Sequence, residues 1–153
     1  MTQPDDLAFK IYQAILDGSG DAVNLGTFDR YHPFFQMPSF IETFEGRETI
    51  GTLDALQRTF DKVVQGLRDI GATRMVRVCS VAQFGGPETI RGVHDTRLVN
   101  DKGQVIEAYS GMCTLRLSDA QWRVGLSQFV EKREALPSKI LRSYTQSAGS
   151  RVE

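Results

Sequence analysis

The side chains able to move protons are few, and the best of them fall in the second half of the chain. His94 is one of only two histidines, and an imidazole with an ordinary pKa near ~6.5 exchanges protons at neutral pH. It lies in Ile90-Arg91-Gly92-Val93-His94-Asp95-Thr96-Arg97-Leu98, where residues two apart share a face of a strand. The set Ile90, Gly92, His94, Thr96 and Leu98 lacks the charges that Arg91, Asp95 and Arg97 bring to the alternate set, so His94 is placed inward. If Leu115 and Leu117 point inward on the next strand, the same spacing carries Cys113, Gly111, Tyr109 and Glu107 with them. Tyr109 or Glu107 would then orient the imidazole, and His94, Tyr109 and Glu107 form the candidate catalytic set.

A second group of residues suits binding rather than proton transfer. His32 follows Tyr31 in Asp29-Arg30-Tyr31-His32-Pro33, a pair suited to contact a ligand where helix gives way to strand. Phe34, Phe35, Phe40, Phe44 and Phe60, with Met37 and Met112, would line a pocket for a flat apolar molecule. Of these, Phe35, Met37 and Phe60 are the ligand-binding candidates, and they serve equally as core. Parity from Trp122, Val124 and Leu126 adds Gln128 to the inner face. Cys79 and Cys113 lack a Cys-x-x-Cys partner and read as buried thiols, so no metal site is expected. No glycine-rich phosphate loop and no Gly-x-Ser-x-Gly elbow occurs, and no cofactor is implied.

These residues belong to a chain of one domain's length: 153 residues and 17.1 kDa, with a core over residues 5–131 and a tail, 132–153, able to form a short helix. Eighteen Lys and Arg balance nineteen Asp and Glu, which argues against nucleic acid or an anionic membrane as partner. The first residues are acidic where a leader would be basic, and no apolar run reaches the ~20 residues of a membrane span. A cytoplasmic location is expected.

The periodicity positions the candidates. Leu7, Ile11, Ala14 and Ile15 predict an amphipathic helix over residues 4–17, stopped at Gly18. A short helix or helical loop follows, up to Pro33. Residues 34–44 read as an edge strand, or two short strands, broken at Pro38. Ile50, Leu53, Leu56, Phe60, Val63, Val64, Leu67 and Ile70 predict a long helix over residues 47–70 that stops at Gly71. From residue 73 the period becomes two, and short turn-rich connectors divide residues 73–84, 88–99, 104–117 and 121–130 into an antiparallel four-strand meander. The class is α+β.

This order of elements resembles the nuclear transport factor 2-like superfamily, which includes the SnoaL-like proteins and ketosteroid isomerases. The residues carrying the resemblance are Phe44-Glu45-Gly46-Arg47-Glu48-Thr49-Ile50, similar to the family's glycine before the long helix, and Thr114-Leu115-Arg116-Leu117-Ser118-Asp119-Ala120-Gln121-Trp122-Arg123-Val124, similar to its last hairpin. The resemblance implies a curved antiparallel sheet forming a cone, packed on N-terminal helices and one long helix. It also implies that Tyr12 stands where isomerases keep a hydrogen-bonding tyrosine, and that Cys113 stands where they keep a second donor. Their general base would fall at Met37, which cannot serve as one.

Two functions follow as expectations. One is a module that binds a small apolar molecule in the cone without catalysis. The other is a proton-transfer enzyme of isomerase, dehydratase or cyclase type, needing no cofactor and using His94 and Tyr109. A homodimer through the outer sheet face is also expected. Val76, Val78, Ser80, Ala82 and Phe84 make one apolar face, yet Met75, Cys79 and Val81 leave the other half apolar, and Ile106, Ala108, Met112 and Phe129 fall outward.

Overall fold

The computed structural model describes residues 4–129; the helix expected in the tail lies outside them. Helix α1 spans Pro4–Leu25, α2 Phe28–Tyr31 and α3 Leu53–Asp69, with a single 3₁₀ turn at His32–Phe34 between α2 and the first strand. The strands are β1 Phe35–Thr43, β2 Gly46–Ile50, β3 Arg74–Gly86, β4 Thr89–Asn100, β5 Gly103–Gln104, β6 Tyr109–Ser118 and β7 Gln121–Phe129. They form one curved sheet in the order β2-β1-β7-β6-β4-β3, with β5 beside β4. The α+β class stands, and β3, β4, β6 and β7 make the antiparallel meander. The sheet is mixed rather than purely antiparallel, because β1 pairs with β7 in parallel.

Helix α1 runs eight residues past its expected end. Gly18 and Gly20 do not stop it, because here they are contact surfaces. A Cβ on Gly18 would sit 2.2 Å from the Phe34 ring, and one on Gly20 would meet the Arg77 guanidinium at 3.6 Å. Ser19 between them bonds back to the Ile15 carbonyl at 2.7 Å. The helix stops at Gly26, whose φ of 69° is left-handed, with Thr27 N–H reaching the Ala22 carbonyl and Gly26 N–H that of Val23. Two of its amides then cover the open edge of β3. Gln13 accepts from Cys79 N–H and donates to the Arg77 carbonyl, while Asn24 does the same for Met75 N–H and carbonyl.

Two expectations near β1 need correction. Residues 46–50 are not the start of the long helix but β2, paired with β1 from Thr43↔Gly46 to Ser39↔Ile50. The pairing outweighs the helical spacing of Ile50, and Thr52 caps α3 by accepting from Ala55 N–H at 3.1 Å. Nor is β1 an edge strand, since β2 and β7 flank it. Pro38 is tolerated there because the β1–β7 register jumps between Phe35 and Phe40, so its missing N–H costs no ladder bond.

Two further register shifts decide which side chains face inward. Between Cys79 and Val81 one extra residue, Ser80, enters β3. Met75, Arg77 and Cys79 are therefore inward before it, and Ala82 and Phe84 after it, with Val78 and Val81 exposed. This explains why both faces of the strand read as half apolar. On β7 the extra residue is Gly125, so Trp122 and Val124 give way to Ser127 and Phe129 as the inner set. Phe129 thus faces inward, not outward, and Ile106 packs on the core from outside β6.

Candidate functional site

A cavity of about 110 Å³ opens between α3 and the inner face of the sheet. Its walls are mainly apolar, with Tyr31, Phe35, Phe40, Leu56 and Phe129 prominent among them. That volume approaches the ~150 Å³ of an apolar cavity known to take up benzene, so one small ring or a compact aliphatic body suits it. Its polar lining comes from Ser39, Thr59, Arg77, His94, Thr96, Tyr109 and Ser127. No Asp or Glu lines it among the described residues.

His94 enters this wall from β4, inward as the parity of the strand predicts, and is 1% exposed. Behind it lies Tyr12 of α1, equally buried, whose hydroxyl is 2.6 Å from His94 Nδ1. The Cys113 backbone N–H donates to the same oxygen at 3.1 Å. With the phenol donating to Nδ1, the neutral imidazole keeps its proton on Nε2. Burial, with help from the charge of Arg77, lowers the His94 pKa to about 3. Burial likewise pushes the Tyr12 phenol far above its usual value, with the Cys113 thiol adding to the effect. Neither group changes charge near neutral pH.

Two glycines make the pair possible. A Cβ on Gly92 would stand 2.3 Å from the Tyr12 ring, and one on Gly111 would stand 2.9 Å from His94 Nε2 and 2.8 Å from the Phe129 ring. The sheet is pared down where the aromatic groups cross it.

The remaining predicted site residues divide by position. Tyr109 lines the cavity opposite Thr96, its ring edge-on to Phe129 at 6.3 Å. Tyr31 and Phe35 line it too, their rings tilted against each other with centroids 4.6 Å apart. Glu107 does not share their face: the strand begins only at Tyr109, and Glu107 is exposed in the segment before it. Gln128 is also off the inner face, since the Gly125 bulge turns it outward opposite Met112, where it donates to Glu42 at 3.1 Å. His32 lies away from the cavity against the Phe28 ring, and Met37 and Phe60 are packed into the core rather than lining the space. Cys113 and Tyr12 act from behind the wall. Arg77, absent from the sequence candidates, does line the cavity; the only signal for it was a lone charge in an otherwise apolar stretch of β3.

No group of three or more metal-ligating side chains is assembled among the described residues, and no described helix is long and apolar enough to cross a membrane.

No protein-family model and no curated protein matches the sequence. Solved structures do match its fold. A protein of unknown function with a cystatin-like fold from Nostoc punctiforme aligns over 87% of this chain and 97% of its own at 13% identity and a TM-score of 0.65. A nuclear transport factor 2-like protein with a cystatin-like fold from Novosphingobium aromaticivorans covers 88% of each chain at 11% identity and a TM-score of 0.62. A ketosteroid isomerase-like protein from Erwinia carotovora atroseptica aligns over 80% of this chain and 94% of its own, at 14% identity and a TM-score of 0.57.

Proposed function

We propose that this chain, which has the nuclear transport factor 2-like fold, is a SnoaL-like protein that binds a small, mainly apolar molecule in its cavity and leaves it unchanged. The supporting observation is the wall itself: an aromatic and aliphatic enclosure whose one imidazole is held neutral by burial and by the charge of Arg77. A proton-transfer enzyme needs a group that takes a proton at working pH. His94 is held at about 3, and no carboxylate stands beside it in the cavity lining among the described residues. The catalytic alternative keeps one point in its favour, namely that His94 and Tyr109 line the same space.

A thermal-shift screen of one-ring and two-ring apolar compounds tests the binding reading. A ligand that binds only the folded form raises the melting temperature by mass action, by about 2.7 kcal/mol of stability at a hundredfold excess over Kd. Val63→Phe, which fills the cavity from α3, is expected to abolish the shift. A screen with no shifts, or a filled variant that responds like the parent, would overturn the reading.

The outer face of the sheet carries a further part of the proposal. Val81, Val93 and Met112 are directly opposite one another across β3, β4 and β6, and Val78, Val81 and Met112 are 52%, 47% and 41% exposed. A second copy of the chain covers this row in a two-fold dimer, and the protein works in the cytoplasm, where Cys79 and Cys113 stay thiols. Light scattering at micromolar concentration is expected to give twice 17.1 kDa. A monomer mass would refute the dimer.

A further inference from the structure

Arg77 is a cation set into the wall of an apolar cavity without an anion to match it among the described residues. From β3 it reaches up to α1, where Nη2 donates to the Leu16 carbonyl at 2.9 Å and to the Ser19 hydroxyl. Both acceptors are neutral. Nε is sealed from solvent and, like Nη1, makes no hydrogen bond to a described residue. The salt bridge of Arg47 with Glu42 lies elsewhere. Arg77 as a whole is half-buried, and the sealed part of a guanidinium is ordinarily matched by a carboxylate or by further acceptors, because its desolvation is otherwise uncompensated.

The surroundings select the missing partner. Thr96, directly opposite Arg77 on β4, is uncharged, and His94 is on the same inner face one pair further along. The imidazole is neutral, its Nδ1 meets the Tyr12 hydroxyl, and with the phenol as donor its proton is the Nε2–H. Local groups therefore offer donors, and no described acid competes for them in the cavity lining. The rest of the enclosure is aromatic and aliphatic. We propose that the ligand of this cavity is a small carboxylic acid, its apolar body among Tyr31, Phe35, Leu56 and Phe129 and its carboxylate on the cavity side of the Arg77 guanidinium, with His94 beside it. The assignment rests on the binding reading above and names its ligand class. Nη1 is the guanidinium nitrogen left to meet the acid, and a hydrogen bond from a charged donor to a carboxylate is about twice as strong as one between neutral groups.

The test compares benzoate and phenylacetate with their neutral isosteres, benzamide and phenylacetamide, by titration calorimetry on the full chain near neutral pH. The acids are expected to bind at least tenfold more tightly than the amides. Arg77→Gln is expected to abolish this preference while amide binding persists, and Arg77→Lys, which keeps the charge, to retain part of it. Should Arg77→Gln fail to fold, the wild-type comparison together with Arg77→Lys decides the matter. Equal affinity of acid and amide for the wild-type chain overturns the carboxylate assignment and leaves the cavity reading intact. A preference that survives in folded Arg77→Gln overturns it as well. Binding of neither class overturns both.

Discussion

Gly92→Ala is expected to destabilise the protein by about 3–5 kcal/mol, combining an overpacked core with lost buried hydrogen bonds. The added methyl would stand 2.3 Å, 2.5 Å and 2.7 Å from three carbons of the Tyr12 ring. That ring is rigid, 1% exposed and held between α1 and β4. To admit the methyl it must withdraw, and its hydroxyl then leaves both His94 Nδ1 and the Cys113 N–H. Overpacking alone costs about 1–3 kcal/mol, and each buried polar group left without a partner about as much again. For a domain of this size the melting temperature should fall by about 10 °C. Gly85→Ala is the control, since its methyl would meet only Thr89 at 3.7 Å, and a change within about 0.5 kcal/mol is expected. Urea unfolding of both variants decides it. Equal effects would mean that Tyr12 does not press against β4.

The second large effect is acid destabilisation through one histidine. In the unfolded chain His94 takes up a proton near its ordinary ~6.5, whereas in the folded protein burial, reinforced by Arg77, holds it back to about 3. Between those values the unfolded state binds more protons. The contribution of His94 to stability is therefore complete above the unfolded pKa and is lost progressively as pH falls toward the folded one. At about 1.4 kcal/mol per pH unit, lowering the pH from about 7.5 to about 5 should remove roughly 2 kcal/mol. His94→Asn isolates this term, because the amide oxygen still accepts from Tyr12 and titrates nothing. The stability gap between wild type and variant should narrow by roughly 2 kcal/mol over that range. Parallel pH profiles would show that the folded imidazole is not held neutral.

The two experiments concern a pairing that one sequence could reveal only in part. Strand parity placed His94 inward correctly because β4 is unbroken in the stretch where it matters, so its period of two survives from Ile90 to Leu98. The same rule misplaced Gln128 and could not decide between the two faces of β3. A single inserted residue reverses every side chain beyond it, and Ser80 and Gly125 are such insertions. Gly125 carries the usual mark of a bulge, a glycine inside a strand pattern, whereas nothing in the local residue types of β3 marks Ser80.

What the sequence by itself determined was the kind and order of elements: an amphipathic first helix, the long α3 with its stop at Gly71, and a meander set off by short polar turns. These follow from periodicity, capping and turn residues, which act within a few positions of one another. Tertiary structure decided the rest. It drew residues 46–50 into β2 and placed β1 inside the sheet, because a strand partner outweighs a helical spacing that only Ile50 supports there. It let α1 continue through Gly18 and Gly20, because those glycines meet Phe34 and Arg77 and are not free to turn the chain. It joined Tyr12 to His94 across 82 positions and left Arg77 beside them without an anion among the described residues. Such contacts depend on which surfaces meet when helix and sheet pack, and that complementarity has no period to read along a chain.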